Sequence, residues 1–157
     1  MICNALENGW ELIYQQAHAL LAAKLATYWK FPERPERWTE TLVAIAEHDN
    51  GWQEWESGAR LTSTGAPRHF LDTPLDDIHA QAERVVTRAW HQSLWAALLV
   101  SSHIAWLHED KRGRSAALDA LLDTQQRQRA AWRKVLGVSA KEVEEAYALL
   151  RWADTFS

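Results

Sequence analysis

Cysteine is nearly absent from the 157-residue chain, in which Cys3, close to the N-terminus, is the only one. A single cysteine forms neither an internal disulfide nor a thiolate metal cluster. Long apolar runs are also missing, since the longest, residues 94–100, is far too short to cross a bilayer. No basic flank followed by an apolar stretch opens the chain, so we predict no signal peptide. These absences predict a cytoplasmic protein without a membrane partner.

An excess of positive charge is lacking as well. The chain has 17 Lys and Arg against 21 Asp and Glu, which gives a net charge of −4 at pH 7. This balance argues against nucleic acid as a partner. The basic run at residues 127–134, which includes Trp132, is interpreted as a solvated helix face rather than as a nucleic-acid patch.

What is present is the composition of one globular domain. Apolar residues make up 47% of the chain and charged residues 24%, both ordinary for a soluble protein. The ten tryptophans are unusual, and many must be buried or line a pocket because the indole ring is large and mostly apolar. We predict a single domain over residues 1–157.

Apolar residues spaced three and four apart predict an all-α bundle, and no strand-like alternation is evident. Two prolines after residue 31 end the first helix, and Gly137 followed by a Ser139–Glu142 capping box separates the last two. The six predicted helices cover residues 10–29, 36–48, 73–90, 93–108, 115–136 and 139 to the end. The aromatic residues of the long connection at 51–73 predict that it is packed.

One motif, His48-Asp49-Asn50-Gly51-Trp52, closes the second helix. Asn50 and Gly51 stop a helix well, because both tolerate the left-handed conformation. Asp49 is out of place there, because the C-terminal end of a helix carries partial negative charge. A bound cation would explain the carboxylate; a surface Asp or an Asx-turn is the alternative.

Four more candidate ligands, one to a helix, are His18, His79, His103 and Asp154. A histidine on an apolar helix face is often only a satisfied core residue. A buried carboxylate is different, because it needs a cation or several donors. Five helices that each direct a His or Asp inward would form an internal metal site.

The order of these residues resembles that of the HD superfamily of metal-dependent enzymes, in which a His, a His-Asp pair and a distant Asp lie on a helical bundle. The chain also resembles an uncharacterised bacterial family of that superfamily. The motifs that carry this resemblance are His48-Asp49-x-Gly51-Trp52-x-x-Trp55, Thr64-Gly65-x-Pro67-x-x-Phe70 and Ala97-Leu98-Leu99-Val100-Ser101-x-His103. The resemblance covers most of the chain and implies one HD-like helical domain.

The resemblance implies a dinuclear centre with His48 and Asp49 as its catalytic residues. One ion would be held by His18, His48, Asp49 and Asp154, and the second by His79 and His103 with Asp49 bridging. Imidazoles and carboxylates without thiolates suit Fe, Mn, Co, Ni or Zn better than Mg or Ca. Asp154 lies three residues from Ser157, and relatives generally continue further, so a truncated C-terminus and a loosely bound first ion are expected.

Trp52 stands where many superfamily phosphodiesterases carry a lysine, which weakens a cyclic-dinucleotide assignment. Arg60, Arg68 and His69 in the long connection are candidates to bind an anionic small-molecule substrate, or they are solvated loop charges. Trp52 is either a stacking platform for substrate or a packing residue. His91 and His108, near helix ends, are predicted to be surface residues.

We therefore expect a metal-dependent hydrolase of a phosphorylated small molecule. A di-iron oxygenase of the same superfamily is the alternative enzyme, because some members with the same ligand set activate dioxygen. A helical protein that binds a metal or ligand without catalysis is the third hypothesis. The sequence leaves the substrate, the metal and the oligomeric state open.

Overall fold

The computed structural model describes residues 1–58 and 60–157 and confirms the all-α fold. In this part of the chain six helices of at least ten residues form the bundle, and a four-residue helix, α3, lies between the second and third of them. The helices are α1 Gln15–Thr27, α2 Trp38–Glu47, α3 Gln53–Glu56, α4 Leu75–Gln92, α5 Leu94–His108, α6 Ala116–Leu136 and α7 Ala140–Thr155. None of these described helices has the length and apolar character needed to cross a membrane.

The start of the chain differs from the prediction, which placed a helix from residue 10 and no strands. An antiparallel hairpin precedes α1, with strand β1 Ile2–Leu6 and strand β2 Gly9–Ile13. A two-residue turn joins the strands, and Gly9 adopts φ +154° immediately after it, a conformation that glycine tolerates best. The side chains of both strands are mostly exposed. The hairpin therefore lacks the apolar alternation by which a half-buried strand is predicted.

Helix α5 lies at the centre of the bundle and packs against α2, α4, α6 and α7. Its residues 95–101 are all buried, as expected for a helix that is apolar on every side. The Ser93 side chain caps it by accepting hydrogen bonds from the backbone of Trp95 and Ala96. Polar side chains of α5 consequently reach the interior of the protein.

The connection between α2 and α4 is packed, as predicted. Trp52 and Trp55 are only 5% and 4% exposed and form a small apolar cluster with Ile78. Arg84 of α4 donates two hydrogen bonds to the carbonyl oxygen of Gly51, at 3.1 and 3.2 Å. These contacts fix the backbone immediately after Asp49.

The last two helices are separated as the sequence predicts. Gly137, with φ +67°, ends α6, and the reciprocal hydrogen bonds of Ser139 and Glu142 begin α7. Helix α7 packs against α1, α2 and α5. This packing brings Asp154, in the last turn of α7, against the end of α2.

Candidate metal centre

Four of the predicted ligands meet in the interior: His18 from α1, His48 and Asp49 from the end of α2, and Asp154 from α7. One ligand atom of each lies within 4.8 Å of those of the other three. His48 is fully buried and Asp49 is 7% exposed. The four residues are hereafter called the four-residue group.

The end of α2 explains how two adjacent residues face the same point. Consecutive residues of a regular helix point about 100° apart. His48 still has helical angles, φ −57° and ψ −26°, whereas Asp49 leaves the helix with φ −111° and ψ 5°. This change brings Asp49 Oδ2 to 3.4 Å from His48 Nε2.

The hydrogen bonds of His48 assign its protonation. Nδ1 lies 2.7 Å from the carbonyl oxygen of Ile45, and because a carbonyl only accepts, Nδ1 carries the hydrogen. In the neutral ring Nε2 is then a lone-pair acceptor. It lies 3.2 Å from Asp154 Oδ1 and 3.4 Å from Asp49 Oδ2. Three acceptor atoms converge, so the arrangement requires a proton or a metal cation among them.

His18 repeats this arrangement from the other side. The Ser157 hydroxyl donates to the carbonyl oxygen of Asp154 at 3.0 Å and therefore accepts from His18 Nδ1, also at 3.0 Å. The hydrogen of the neutral ring again lies on Nδ1. The lone pair of His18 Nε2 then faces Asp154 Oδ1 at 2.9 Å and Asp49 Oδ2 at 3.8 Å.

The electrostatics of the group favour positive charge among the carboxylates. Burial lowers the pKa of His48, but the charges of Asp49 and Asp154 and the hydrogen bonds to them outweigh burial and raise it to about 10. Burial raises the pKa of Asp154, yet hydrogen bonds from His18 and His48 hold it well below its usual range. Both effects show how strongly two buried carboxylates attract a cation.

The geometry fits a divalent transition metal. Imidazole nitrogen and carboxylate oxygen bind such ions at about 2.0–2.2 Å, so atoms bound to one ion lie roughly 3–4.4 Å apart. Three of the four nitrogen–oxygen separations given above, at 3.2–3.8 Å, lie in this range, and the fourth, His18 Nε2 to Asp154 Oδ1 at 2.9 Å, is just below it. The hydrogen bonds from Nδ1 to Ile45 and Ser157 are the outer contacts that ligating histidines normally make. The donor set suits Fe, Mn, Co, Ni or Zn.

His103 lies beside the four-residue group. Its Nε2 is 3.9 Å from Asp154 Oδ2, and its ring centroid is 5.1 Å from that of His48. Burial and the positive charge of His48 lower the pKa of His103 to about 4, so the ring is neutral near pH 7. His79, the other predicted ligand of a second ion, is half-buried in α4 and belongs neither to the four-residue group nor to the described lining of the adjacent cavity.

A cavity of about 300 Å³ adjoins the group and is lined by His18, Asp49, His103 and Asp154. Its apolar walls are formed by Ile2, Trp52, Phe70, Leu71, Ile78 and Leu107. Polar side chains enter it as well, namely Gln15, Gln81, His108 and Lys111. The candidate metal ligands therefore face a space in which a small molecule can bind.

The sequence model of one protein family, described as "Protein of unknown function (DUF3891)", matches residues 1–157. The chain belongs to this family. No curated protein and no solved structure gives a significant match. The DUF3891 match includes the four-residue group, the packed connection and the cavity.

Of the predicted substrate contacts in this DUF3891 chain, Trp52 lines the cavity and also packs against Trp55 and Phe70. Arg60 donates to the carbonyl oxygen of Trp55 at 2.6 Å and covers that indole ring. His69 Nδ1 accepts from the backbone of Leu71. Among the described lining residues of the cavity, Arg60, Arg68 and His69 do not occur, because the first and third stabilise the loop itself and Arg68 is half-buried within it.

The prediction that His108 lies on the surface is wrong, whereas His91 is exposed as predicted. His108 is 6% exposed and lines the cavity, where Lys111 Nζ donates to its Nδ1 at 3.1 Å. The signal was available, because His108 lies four residues after the buried Ile104 and therefore on the same face of α5. Position near a helix end misled the prediction.

Proposed function

We propose that this DUF3891 protein is a metal-dependent hydrolase of HD-superfamily type that acts on a small phosphorylated molecule. The observation that carries the proposal is the convergence of His18 Nε2 and His48 Nε2 on oxygens of Asp49 and Asp154, at 2.9–3.8 Å. The order of these residues along a helical bundle is that of the HD superfamily. The cavity beside them supplies room for a substrate.

The four-residue group would hold one divalent transition-metal ion, and His103 and His79 remain the candidate ligands of a second. When bound, such an ion would polarise a phosphoryl oxygen and lower the pKa of water in the cavity. His103 lies beside the carboxylates, with Nε2 3.9 Å from Asp154 Oδ2.

The di-iron oxygenase is retained as a second candidate because of one observation. Trp52, Phe70, Ile78 and Leu107 give the cavity aromatic and aliphatic walls, and oxygen chemistry requires a site that excludes water. His103 lies close enough to the group, with Nε2 at 3.9 Å from Asp154 Oδ2, to serve a second iron. Iron content and oxygen consumption distinguish the two enzymes.

Metal content is the first test. Elemental analysis of the purified wild type should find one to two transition-metal ions per chain, and Asp49→Ala and His48→Ala should lose them. Asp123→Asn is the matched control, since Asp123 pairs with Arg112 on the surface and such pairs contribute little. Wild-type metal content in Asp49→Ala and His48→Ala would refute the site.

Activity is the second test. Phosphate monoesters, diesters and nucleotides are assayed with added Mn, Co, Ni or Fe. Metal-dependent hydrolysis that disappears in Asp49→Ala supports the proposal. Absence of turnover on all of them, together with oxygen consumption by iron-loaded protein, would reject hydrolysis in favour of the oxygenase.

A further inference from the structure

His108 and Lys111 form a second polar wall of the cavity, which the proposed hydrolysis has not used. Lys111 Nζ donates to His108 Nδ1 at 3.1 Å. A lysine ammonium has three donors, so two remain. Because Nδ1 accepts, the hydrogen of the His108 ring lies on Nε2, which is a further donor. This wall therefore offers several hydrogen-bond donors and one positive charge.

The Lys111 ammonium forms no ion pair with a carboxylate of the described residues, although Asp49 and Asp154 line the same cavity. Burial and the adjacent ammonium lower the pKa of His108 to about 4, so the histidine stays a neutral donor near pH 7. The half-buried Lys111 ammonium and the neutral His108 donor beside it can together bind an anionic group through charge-assisted and neutral hydrogen bonds.

The size of the cavity limits the molecule that these groups can bind. About 300 Å³ is the lower end of the range for small-molecule sites. Aromatic walls from Trp52 and Phe70 suit a short organic portion. A polymer or a dinucleotide is too large.

We propose, on the basis of the proposed function, that the substrate is a compact organic phosphate monoester. Lys111 and His108 bind the phosphate. The phosphate then lies in the same cavity as the four-residue group.

The test measures binding by titration calorimetry on the protein as purified, with the metal content of wild type and variant measured in parallel. The probes are inorganic phosphate, phenyl phosphate and glycerol 2-phosphate. Lys111→Met should weaken all three about tenfold or more, and Lys111→Arg should retain most of the affinity. Lys141→Met is the matched control, because Lys141 is 85% exposed on α7 and loses the same charge.

Thermal unfolding of each variant checks that it is folded. Equal affinity of Lys111→Met and wild type for phosphate would overturn the anion site.

Metal content separates this inference from the proposed function. Lys111→Met should contain as much metal as wild type, since Lys111 is not a ligand. Loss of phosphate binding with full metal content supports the anion wall. Full metal content and unchanged phosphate binding in Lys111→Met would reject only the phosphate site at Lys111 and His108. Wild-type metal content in Asp49→Ala would instead reject the metal site.

Discussion

His48 Nδ1 donates to the carbonyl oxygen of Ile45, three residues earlier in the chain, at 2.7 Å. This bond lies at the end of α2, where the last carbonyl groups of a helix lack backbone partners. It satisfies one of them and fixes the orientation of the imidazole. Local helix chemistry thus directs His48 Nε2 at the two carboxylates.

Asp154 is the ligand whose position depends most on distant parts of the chain, since α7 must pack against α1 and α2 to bring it there. We predict that Asp154→Asn lowers metal affinity more than the roughly 10–100-fold typical of outer contacts. The amide is nearly isosteric but has one acceptor oxygen and no charge. Competition with a metal-sensitive dye measures the affinity, and values equal to wild type would show that Asp154 is not a ligand.

Each member of the four-residue group could be named as a candidate ligand from the sequence, but the grouping of these four around one ion is what the resemblance to the HD superfamily implied. A carboxylate at a helix C-terminus, as at Asp49, needs a compensating charge, and helices that bury a His or Asp must direct it inward. Distances could not be predicted. They depend on the backbone turn at Asp49 and on the packing of α7, neither of which apolar spacing encodes.

His108 gives a prediction about pH. Its pKa is lowered to about 4, first by burial and then by Lys111, against about 6.5 in the unfolded chain. The unfolded state therefore binds more protons below pH 6.5, and stability falls as pH decreases from about 6.5 to about 4. Thermal and denaturant unfolding of His108→Gln should show a shallower fall over this window, smaller by on the order of 2–3 kcal/mol. Parallel curves for the two proteins would contradict the shift.

The failures of prediction have physical causes that differ from one element to the next. Most side chains of the hairpin at residues 2–13 are exposed. Its sequence therefore lacks the apolar alternation by which a half-buried strand is predicted. The role of Arg60 in binding substrate stays a prediction, and the structure shows its guanidinium donating to the Trp55 carbonyl oxygen. In a loop of this length, side chains must form hydrogen bonds with some of the backbone groups. Composition alone does not tell which charged side chains do so.

Gly51 gives the last prediction, because it allows α4 to approach the backbone that follows Asp49. A Cβ at this position would lie 2.4 Å from the Gln81 carbonyl oxygen and 2.9 Å from Val85 Cβ. Both atoms belong to a packed helix, so Gly51→Ala must displace α4 or the turn that orients Asp49. We expect a loss of about 1–3 kcal/mol in unfolding free energy, together with weaker metal binding.

Gly58→Ala is the matched control for this substitution. Its Cβ would meet the Arg60 side chain at 3.5 Å, which is ordinary van der Waals contact with a flexible group. Denaturant unfolding and metal titration of both variants make the comparison. Because Gly51 contributes no side chain to the site, reduced metal affinity in Gly51→Ala but not in Gly58→Ala would show that the backbone turn places Asp49. Equal stability and equal affinity in the two variants would mean that the close approach of α4 does not position the ligand.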